Sequence, residues 1–150
     1  MAEQQKDLTA LIREIRTAFN RLKSVAETLH ADLEINPSMR AVLQTLILKA
    51  PQTVPDIARA KGVSRQHVQK NMNALLEKGL VHAQDNPDHK RSVLYRPSPA
   101  GEELFAQIQA REEAPMAVLA EALAAHDVAA SVRLLACLND ALETMTVNGE

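Results

Sequence analysis

The chain has 150 residues, of which 46% are hydrophobic and only 2% aromatic, and its formal net charge is −2 at pH 7. This length suits one domain with a real core, which must be largely aliphatic. We expect neither secretion nor a membrane span, because the first residues lack a signal pattern and no apolar run reaches about 18 residues. The single cysteine, Cys137, excludes an intrachain disulfide and fits a reducing cytoplasm, where we expect this protein.

Residues 1–35 are predicted to form a long N-terminal dimerisation helix. Its apolar residues alternate in steps of four and three, which is typical of a coiled-coil-like seam. They are Leu8, Ile12, Ile15, Phe19, Leu22, Ala26, Leu29 and Leu33. Such a seam is too long to be covered by one small domain.

Asn36 and Pro37 then mark the start of a second helix, since asparagine caps helices and proline suits the first helical position. We expect five of its residues to face the core: Met39, Val42, Leu43, Leu46 and Ile47.

The segment Thr53–Leu80 reads as two helices joined by a tight turn. Thr53 can cap the first helix, with Asp56 at the capping-box spacing, and Ser64 can cap the second. Gly62 should end the first helix, because a residue without Cβ takes a left-handed cap easily. We predict that Ile57 and Ala58 face inward, as does an apolar stripe on the second helix: Val68, Met72, Leu75 and Leu76.

The opposite face of the second helix carries donor-rich side chains and no acid between Ser64 and Asn73. Such side chains read base edges and neutralise phosphates. We therefore predict a recognition helix over Ser64–Lys78. Its base-reading candidates are Gln66, Gln69, Lys70 and Asn73, and Arg65 and His67 are candidates for phosphates or base edges; Thr53 and Ser64 belong to the same predicted DNA-binding surface.

A basic hairpin follows this helix. Leu80–Gln84 and Ser92–Arg96 are strand-like, and the turn formers Asp85, Asn86 and Pro87 lie between them. We predict a wing whose tip residues Asp88, His89, Lys90 and Arg91 meet DNA, with Arg91 in the minor groove. Asp88 should hold Arg91 or Lys90 by a charge-assisted hydrogen bond. Pro97 should end the second strand at Arg96, because it removes a ladder donor.

The run IARAKGVSRQHVQKNMNALLEKGLV, the NPDHKRS wing and the Ser-Pro-Ala-Gly helix start after it resemble the MarR family of winged-helix transcriptional regulators. The family's wing has an Asp closely followed by an Arg pair, which Asp88, Lys90 and Arg91 match with one Lys. Pro97 and Ser98 stand where the family usually has Leu-Thr. The resemblance covers essentially the whole chain. It implies a homodimer that binds double-stranded DNA, most often as a repressor, and that a small-molecule effector releases.

Residues 98–150 are predicted to form C-terminal dimerisation helices. Ser98 and Pro99 open a long helix, which Pro115 must kink or break, and Asp127 caps a last one. The first carries the apolar residues Leu104, Phe105, Ile108, Leu119 and Leu123; the last carries Val128, Ser131, Leu135, Leu138, Leu142 and Met145 on one side. With residues 36–97 as the DNA-binding module, the fold class is mainly α with a small β-hairpin wing, in one integrated domain.

Charge is distributed as a DNA-binding module requires. Residues 51–100 hold eight basic and four acidic side chains, a net charge of +4, whereas residues 101–150 carry −7. A two-fold dimer would present two recognition helices to a pseudo-palindromic site with half-sites about 10 base pairs apart.

Other chemistry has little support. We expect no enzyme and no cofactor, because neither a phosphate-binding loop nor a catalytic triad spacing is present. His82, Asp85 and His89 cluster in the wing, but we expect no metal site. Cys137 should be a small buried apolar residue rather than a redox sensor.

Effector-binding residues cannot be assigned. Arg16, Arg40 or His30 could pair with a carboxylate, yet each is equally well an ordinary helix residue. A winged-helix protein-interaction module or a low-specificity architectural DNA-binding protein remain alternative functions. The absence of an apolar patch on the Ser64–Asn73 face disfavours the first, and sequence preference would exclude the second.

Overall fold

The computed structural model describes residues 1–147, which form six α-helices, three strands and one short 3-10 helix. In chain order these are α1 (Ala2–Leu29), the 3-10 helix (Ala31–Leu33), α2 (Pro37–Leu48), β1 (Gln52–Thr53), α3 (Val54–Lys61), α4 (Arg65–Glu77), β2 (Val81–Gln84), β3 (Leu94–Pro97), α5 (Pro99–Ala122) and α6 (Val128–Val147). The fold class is the predicted one, mainly α with a hairpin wing.

The first helix ends four residues earlier than its apolar periodicity predicted. It stops at Leu29, and His30 follows in a turn before the 3-10 helix that contains Leu33. Glu34 then adopts a left-handed conformation with φ of 51°. This reversal turns Ile35 into the core and aims the chain into α2. The free energy gained by burying His30 and Ile35 therefore exceeds the free energy that a longer α1 would gain.

The core lies between α2, α3, α4, the sheet and the first half of α5. Asn36 caps α2 by accepting a hydrogen bond from the Met39 amide at 2.8 Å. The inward residues predicted for α2 are buried, apart from half-buried Ile47. Leucine, isoleucine, valine and methionine supply most of this core, as the composition predicted.

The sheet has three antiparallel strands in the order β1–β3–β2, one more than the sequence predicted. Tyr95 lies at its centre, opposite Gln52 on one side and Ala83 on the other. Strand β1 has only two residues, which is too short for periodicity to reveal. It ties the start of α3 to the wing.

The prediction that β3 ends at Arg96 was wrong by one residue, because Pro97 pairs with Val81. The Ser98 amide donates to the Leu80 carbonyl at 3.0 Å, so the nitrogen of Pro97 faces the other edge of β3. There β1 reaches only as far as Tyr95. The missing N–H of Pro97 therefore costs no ladder bond.

Helix α5 is continuous through Pro115, so of the predicted kink or break the break does not occur. Its start is capped by Ser98, whose hydroxyl accepts from the Gly101 amide at 3.0 Å. Asp127 precedes α6 and accepts from the Ala130 amide at 2.9 Å, as expected of a cap.

The two ends of the chain expose apolar side chains that the protomer does not cover. Phe19 is 67% exposed, and the others with large exposed fractions include Leu22, Val25, Met116, Val118, Leu119, Val128, Val132, Leu134, Leu142 and Met145. Cys137 is also exposed, contrary to the expectation of a buried thiol, because α6 packs little of its surface within the protomer. No helix in residues 1–147 is long and apolar enough to cross a membrane.

Candidate nucleic-acid interface

Helices α3 and α4 are fixed by the cap residues that the sequence predicted. The Thr53 hydroxyl accepts from the Asp56 amide at 3.2 Å, and the Ser64 hydroxyl accepts from the His67 amide at 3.1 Å. Gly62 ends α3 with φ of 64°, and the next amide returns to the Ala58 carbonyl at 3.1 Å. This tight turn sets the direction of α4 across α3.

The buried and exposed faces of α4 divide as predicted. Val68, Met72 and Leu75 are fully buried. Among the predicted DNA-contacting residues of this helix, Gln69 is half-buried and the rest are exposed: Arg65, Gln66, His67, Lys70 and Asn73. Between Ser64 and Asn73 the helix thus presents a polar and basic face without a carboxylate, and the exposed Glu77 follows one turn after Asn73.

Thr53 does not share this surface. It is only 7% exposed, lies in β1, and its hydroxyl is engaged in capping α3. Ser64, by contrast, is exposed at the start of α4.

Two hydrogen bonds within α4 orient its polar side chains. The Gln69 Nε2 donates to Asn73 Oδ1 at 2.9 Å on the exposed face. The buried Asn71 donates from Nδ2 to the His67 carbonyl at 2.8 Å and lies 3.4 Å from His67 Nε2. Sequence reasoning missed Asn71, although a polar residue beside Met72 on an apolar stripe was a signal.

A cleft of about 330 Å³ separates the start of α4 from the wing. Arg65, Gln66 and Gln69 line its helix side and Arg91 its wing side, together with Val54, Pro55, Ser92, Val93 and Tyr95. Two guanidinium groups and no carboxylate border this cleft. It therefore favours an anion, and the arrangement suits the backbone of a nucleic acid.

The wing tip is a hydrogen-bonded turn with an exposed basic end. Asn86 Oδ1 accepts from the Asp88 amide at 3.1 Å, while Asp88, His89, Lys90 and Arg91 are all exposed. The expected ion pair of Asp88 with Lys90 or Arg91 does not form anywhere in residues 1–147. Arg91 instead borders the cleft beside α4, which Arg65, Gln66 and Gln69 line from the helix side.

The wing histidines do not form a metal cluster in the described part of the chain. No group of three His, Cys, Asp or Glu residues with suitable spacing occurs there. His82 and His89 are exposed on the hairpin, as is Asp85.

A second cavity, of about 450 Å³, lies between α1 and the DNA-binding module. Apolar side chains and a few cations line it: Phe19, Leu22, Lys23, Ala26, Pro37, Ser38, Arg40, Ala41, Val42, Ala60, Lys61, Val63 and His67. Of the three effector candidates named from the sequence, only Arg40 borders this space. His67 extends the lining to the first turn of α4.

The other side of Arg40 meets a buried charge cluster. Glu112 Oε1 accepts from His30 Nε2 at 3.1 Å and also pairs with Arg40. His30 is 3% exposed, and its Nδ1 and Arg40 Nε are both buried without a hydrogen-bond partner. These contacts join the end of α1, helix α2 and helix α5.

An adjacent ion pair closes the same junction. Arg111 Nη1 and Nη2 bind the two carboxylate oxygens of Asp32 at 2.5 and 2.9 Å, and Nη1 also reaches the Leu29 carbonyl at 3.3 Å. Hydrogen bonds from Arg111 lower the pKa of Asp32 to about 2, and the same pair raises the pKa of Arg111.

Residues 37–92, which span this interface, match the sequence model of the MarR family. Uncharacterised proteins of Mycobacterium tuberculosis and Mycobacterium bovis are each 50% identical to the chain over 42 residues. That stretch is 28% of this chain and 29% of each relative, so the chain matches under a third of their length.

Solved structures share the fold over nearly the whole chain. A MarR family transcription regulator has a TM-score of 0.77 at 23% identity, with 97% of both chains covered. A cysteine-to-serine mutant of Escherichia coli MarR, complexed with operator DNA, has a TM-score of 0.72 at 19% identity, covering 91% of this chain and 96% of that one. The transcriptional repressor CouR, bound to a 23-mer DNA duplex, has a TM-score of 0.74 at 20% identity, covering 84% and 89%.

These structural likenesses establish the fold, and the matched module lies at its centre. Residues 37–92 thus match the MarR family model, and the chain as a whole has the winged helix-turn-helix fold of MarR family regulators.

Proposed function

We propose that this chain is a sequence-specific DNA-binding transcriptional regulator that acts in the cytoplasm rather than as an enzyme. The observation that carries the proposal is the exposed face of α4 between Ser64 and Asn73, which bears no carboxylate and lies beside a basic wing. A helix of this kind fits the major groove, and its flanking cations fit the phosphates on either side. The DNA complexes of two proteins with this fold support the same mode of binding.

In this mode Gln66, Gln69, Lys70 and Asn73 read base edges, and Arg65 and His67 hold phosphates or edges. Ser64 fixes the start of the helix at the groove. The wing residues Asp88, His89, Lys90 and Arg91 meet the flanking minor groove, where Arg91 is favoured by the negative potential of narrow A·T-rich segments. The local net charge of this module makes binding weaken with salt.

A homodimer is the second part of the proposal. Many large apolar side chains of α1, α5 and α6 are exposed in the single chain, and a second copy of the chain would cover them. The two-fold axis would then place two α4 helices in successive major grooves, over a pseudo-palindromic operator. Light scattering at micromolar concentration should give twice the chain mass, and the mass of one chain would exclude this arrangement.

Repression and release by a small effector complete the proposal. The 450 Å³ cavity between α1 and the module has the size of a small-molecule site and combines apolar walls with Lys23, Arg40 and Lys61. A small organic acid suits this lining. Binding there would favour a geometry in which the two recognition helices no longer match successive grooves. This step is tested in a reporter strain, where such an acid should relieve repression. Activation of the reporter by the protein alone would show that the protein is an activator instead.

The decisive test measures DNA binding directly. Purified protein is titrated against its own upstream intergenic DNA and a scrambled duplex of equal length and composition, at about 150 mM salt, by fluorescence anisotropy. A specific regulator should prefer the first by about 10³-fold or more. Equal, weak and salt-sensitive binding to both duplexes and to a genomic fragment library would instead indicate a low-specificity architectural protein.

A further inference from the structure

Two amides on the exposed face of α4 are joined before any DNA is bound. Gln69 and Asn73 stand one helical turn apart, and Gln69 Nε2 donates to Asn73 Oδ1 at 2.9 Å. Neither takes part in another side-chain hydrogen bond or ion pair in residues 1–147. Gln69 also lines the α4–wing cleft, and both residues share the outer surface of α4 with Gln66, Lys70 and, one turn further along, Glu77.

The shared hydrogen bond decides which groups remain free. It uses one of the two N–H donors of Gln69 Nε2 and one of the two lone pairs of Asn73 Oδ1, so the groups left wholly free are Gln69 Oε1 as an acceptor and Asn73 Nδ2 as a donor. Reversing both amides would exchange the two roles and still leave one acceptor and one donor. The hydrogen-bonding character of the pair is therefore the same in either orientation.

We propose that Gln69 and Asn73 act as one reading unit, and that this unit selects adenine at one position of each operator half-site. The inference rests on the proposed DNA-binding function and names the base that this part of the helix recognises. The major-groove edge of adenine offers the N6 amino donor beside the N7 acceptor, which complements one acceptor and one donor.

Guanine is disfavoured at the same position. Its edge carries two acceptors, O6 and N7, so the free oxygen of the pair would face O6 without a hydrogen between them. The preformed bond also holds two flexible side chains before binding, which reduces the rotamer entropy lost on the DNA. Lys70 and Gln66 have no such partner in the described chain and stay free to read other positions or phosphates.

The test starts by selecting preferred duplexes from a randomised library with the wild-type protein. Affinities of Gln69→Ala, Asn73→Ala and the double variant are then measured on the selected site and on duplexes altered at single positions. We expect one A·T pair per half-site whose replacement by G·C in one half-site weakens wild-type binding roughly 10- to 100-fold. Both single variants should lose that preference at the same position, and the double variant should lose no more than either.

Gln109→Ala is the matched control, since it removes an exposed amide from α5, outside the proposed DNA-binding surface. It should leave the adenine preference intact, and circular dichroism should show equal helix content for all variants. Three outcomes would each refute the proposal that the two amides act as one unit. They are a preference for G·C, loss of preference at different positions in the two single variants, and additive losses of affinity in the double variant. If the wild-type protein selects no sequence at all, the proposed function fails as well; if it selects a site that Gln69→Ala reads unchanged, only this inference fails.

Discussion

Gly101 of α5 packs directly against the backbone at the base of the wing, where even one added methyl group should be costly. Gly101 is buried in the first turn of α5, against the residue that precedes β2. A Cβ at this position would lie 2.0 Å from the Leu80 carbonyl oxygen and 3.0 Å from its carbon, with Leu43 Cδ1 at 3.4 Å. The obstacle is backbone, so Gly101→Ala requires α5 to move away from the sheet.

The magnitude follows from what that movement breaks. The Leu80 carbonyl accepts the Ser98 amide at 3.0 Å, and the Ser98 hydroxyl donates to the Gly79 carbonyl at 2.6 Å. Overpacking costs about 1–3 kcal/mol, and each weakened hydrogen bond adds about 1 kcal/mol. The higher helix propensity of alanine offsets about 1 kcal/mol of this destabilisation. We expect the free energy of unfolding to fall by about 3 kcal/mol.

Urea unfolding followed by circular dichroism measures this change, with the protein concentration held constant because dimerisation would stabilise the fold. The matched control is Ala100→Gly, which alters the exposed neighbouring residue and should cost less than about 1 kcal/mol. A Gly101→Ala variant within about 0.5 kcal/mol of wild type would refute the close packing of α5 on Leu80.

Three further outcomes are expected. Glu112→Gln should lower the free energy of unfolding by about 2 kcal/mol in urea, because it removes the partly buried negative charge that pairs with Arg40; an unchanged midpoint would contradict this. The Asp32 carboxyl should titrate near pH 2 by NMR, and near its ordinary value of 3.8 in Arg111→Gln. Because the pKa of Asp32 is depressed in the folded state, the ion pair stabilises the fold above about pH 3.8, and this stabilisation is lost as the pH falls toward 2. A wild-type titration midpoint near 3.8 would exclude the pair. Arg91→Ala should weaken DNA binding and reduce the preference for A·T-rich flanks in anisotropy titrations, whereas undiminished affinity for such a site would remove Arg91 from the minor groove.

Local signals in the sequence were sufficient for the DNA-binding module. The caps at Thr53 and Ser64 and the left-handed Gly62 are short-range features, since each depends on residues no more than a few positions away. The same holds for the apolar stripe of α4, whose period alone distinguishes the buried face from the polar one. The division of α4 into a core face and an exposed face was therefore predictable.

Contacts between distant segments decided the rest. The end of α1 depends on His30 meeting Glu112, which lies 82 residues away, so no local periodicity could reveal it. The ion pair predicted between Asp88 and Arg91 also fails because of a contact between distant segments, since Arg91 lies beside α4. Pro97 remains in β3 because β1, whose pairing is also long-range, stops short of it.

The sequence by itself thus determined the helices, the hairpin, the caps and the polar character of the exposed face of α4, since these follow from backbone propensities and from periodicity within one element. Only the tertiary structure brought Arg40, His30 and Glu112 into one cluster at the junction of three helices. It alone also formed the cavity beside that cluster and left the apolar faces of the terminal helices uncovered. Each of these features is a relation between elements, and its energy depends on distances that no single stretch of sequence contains.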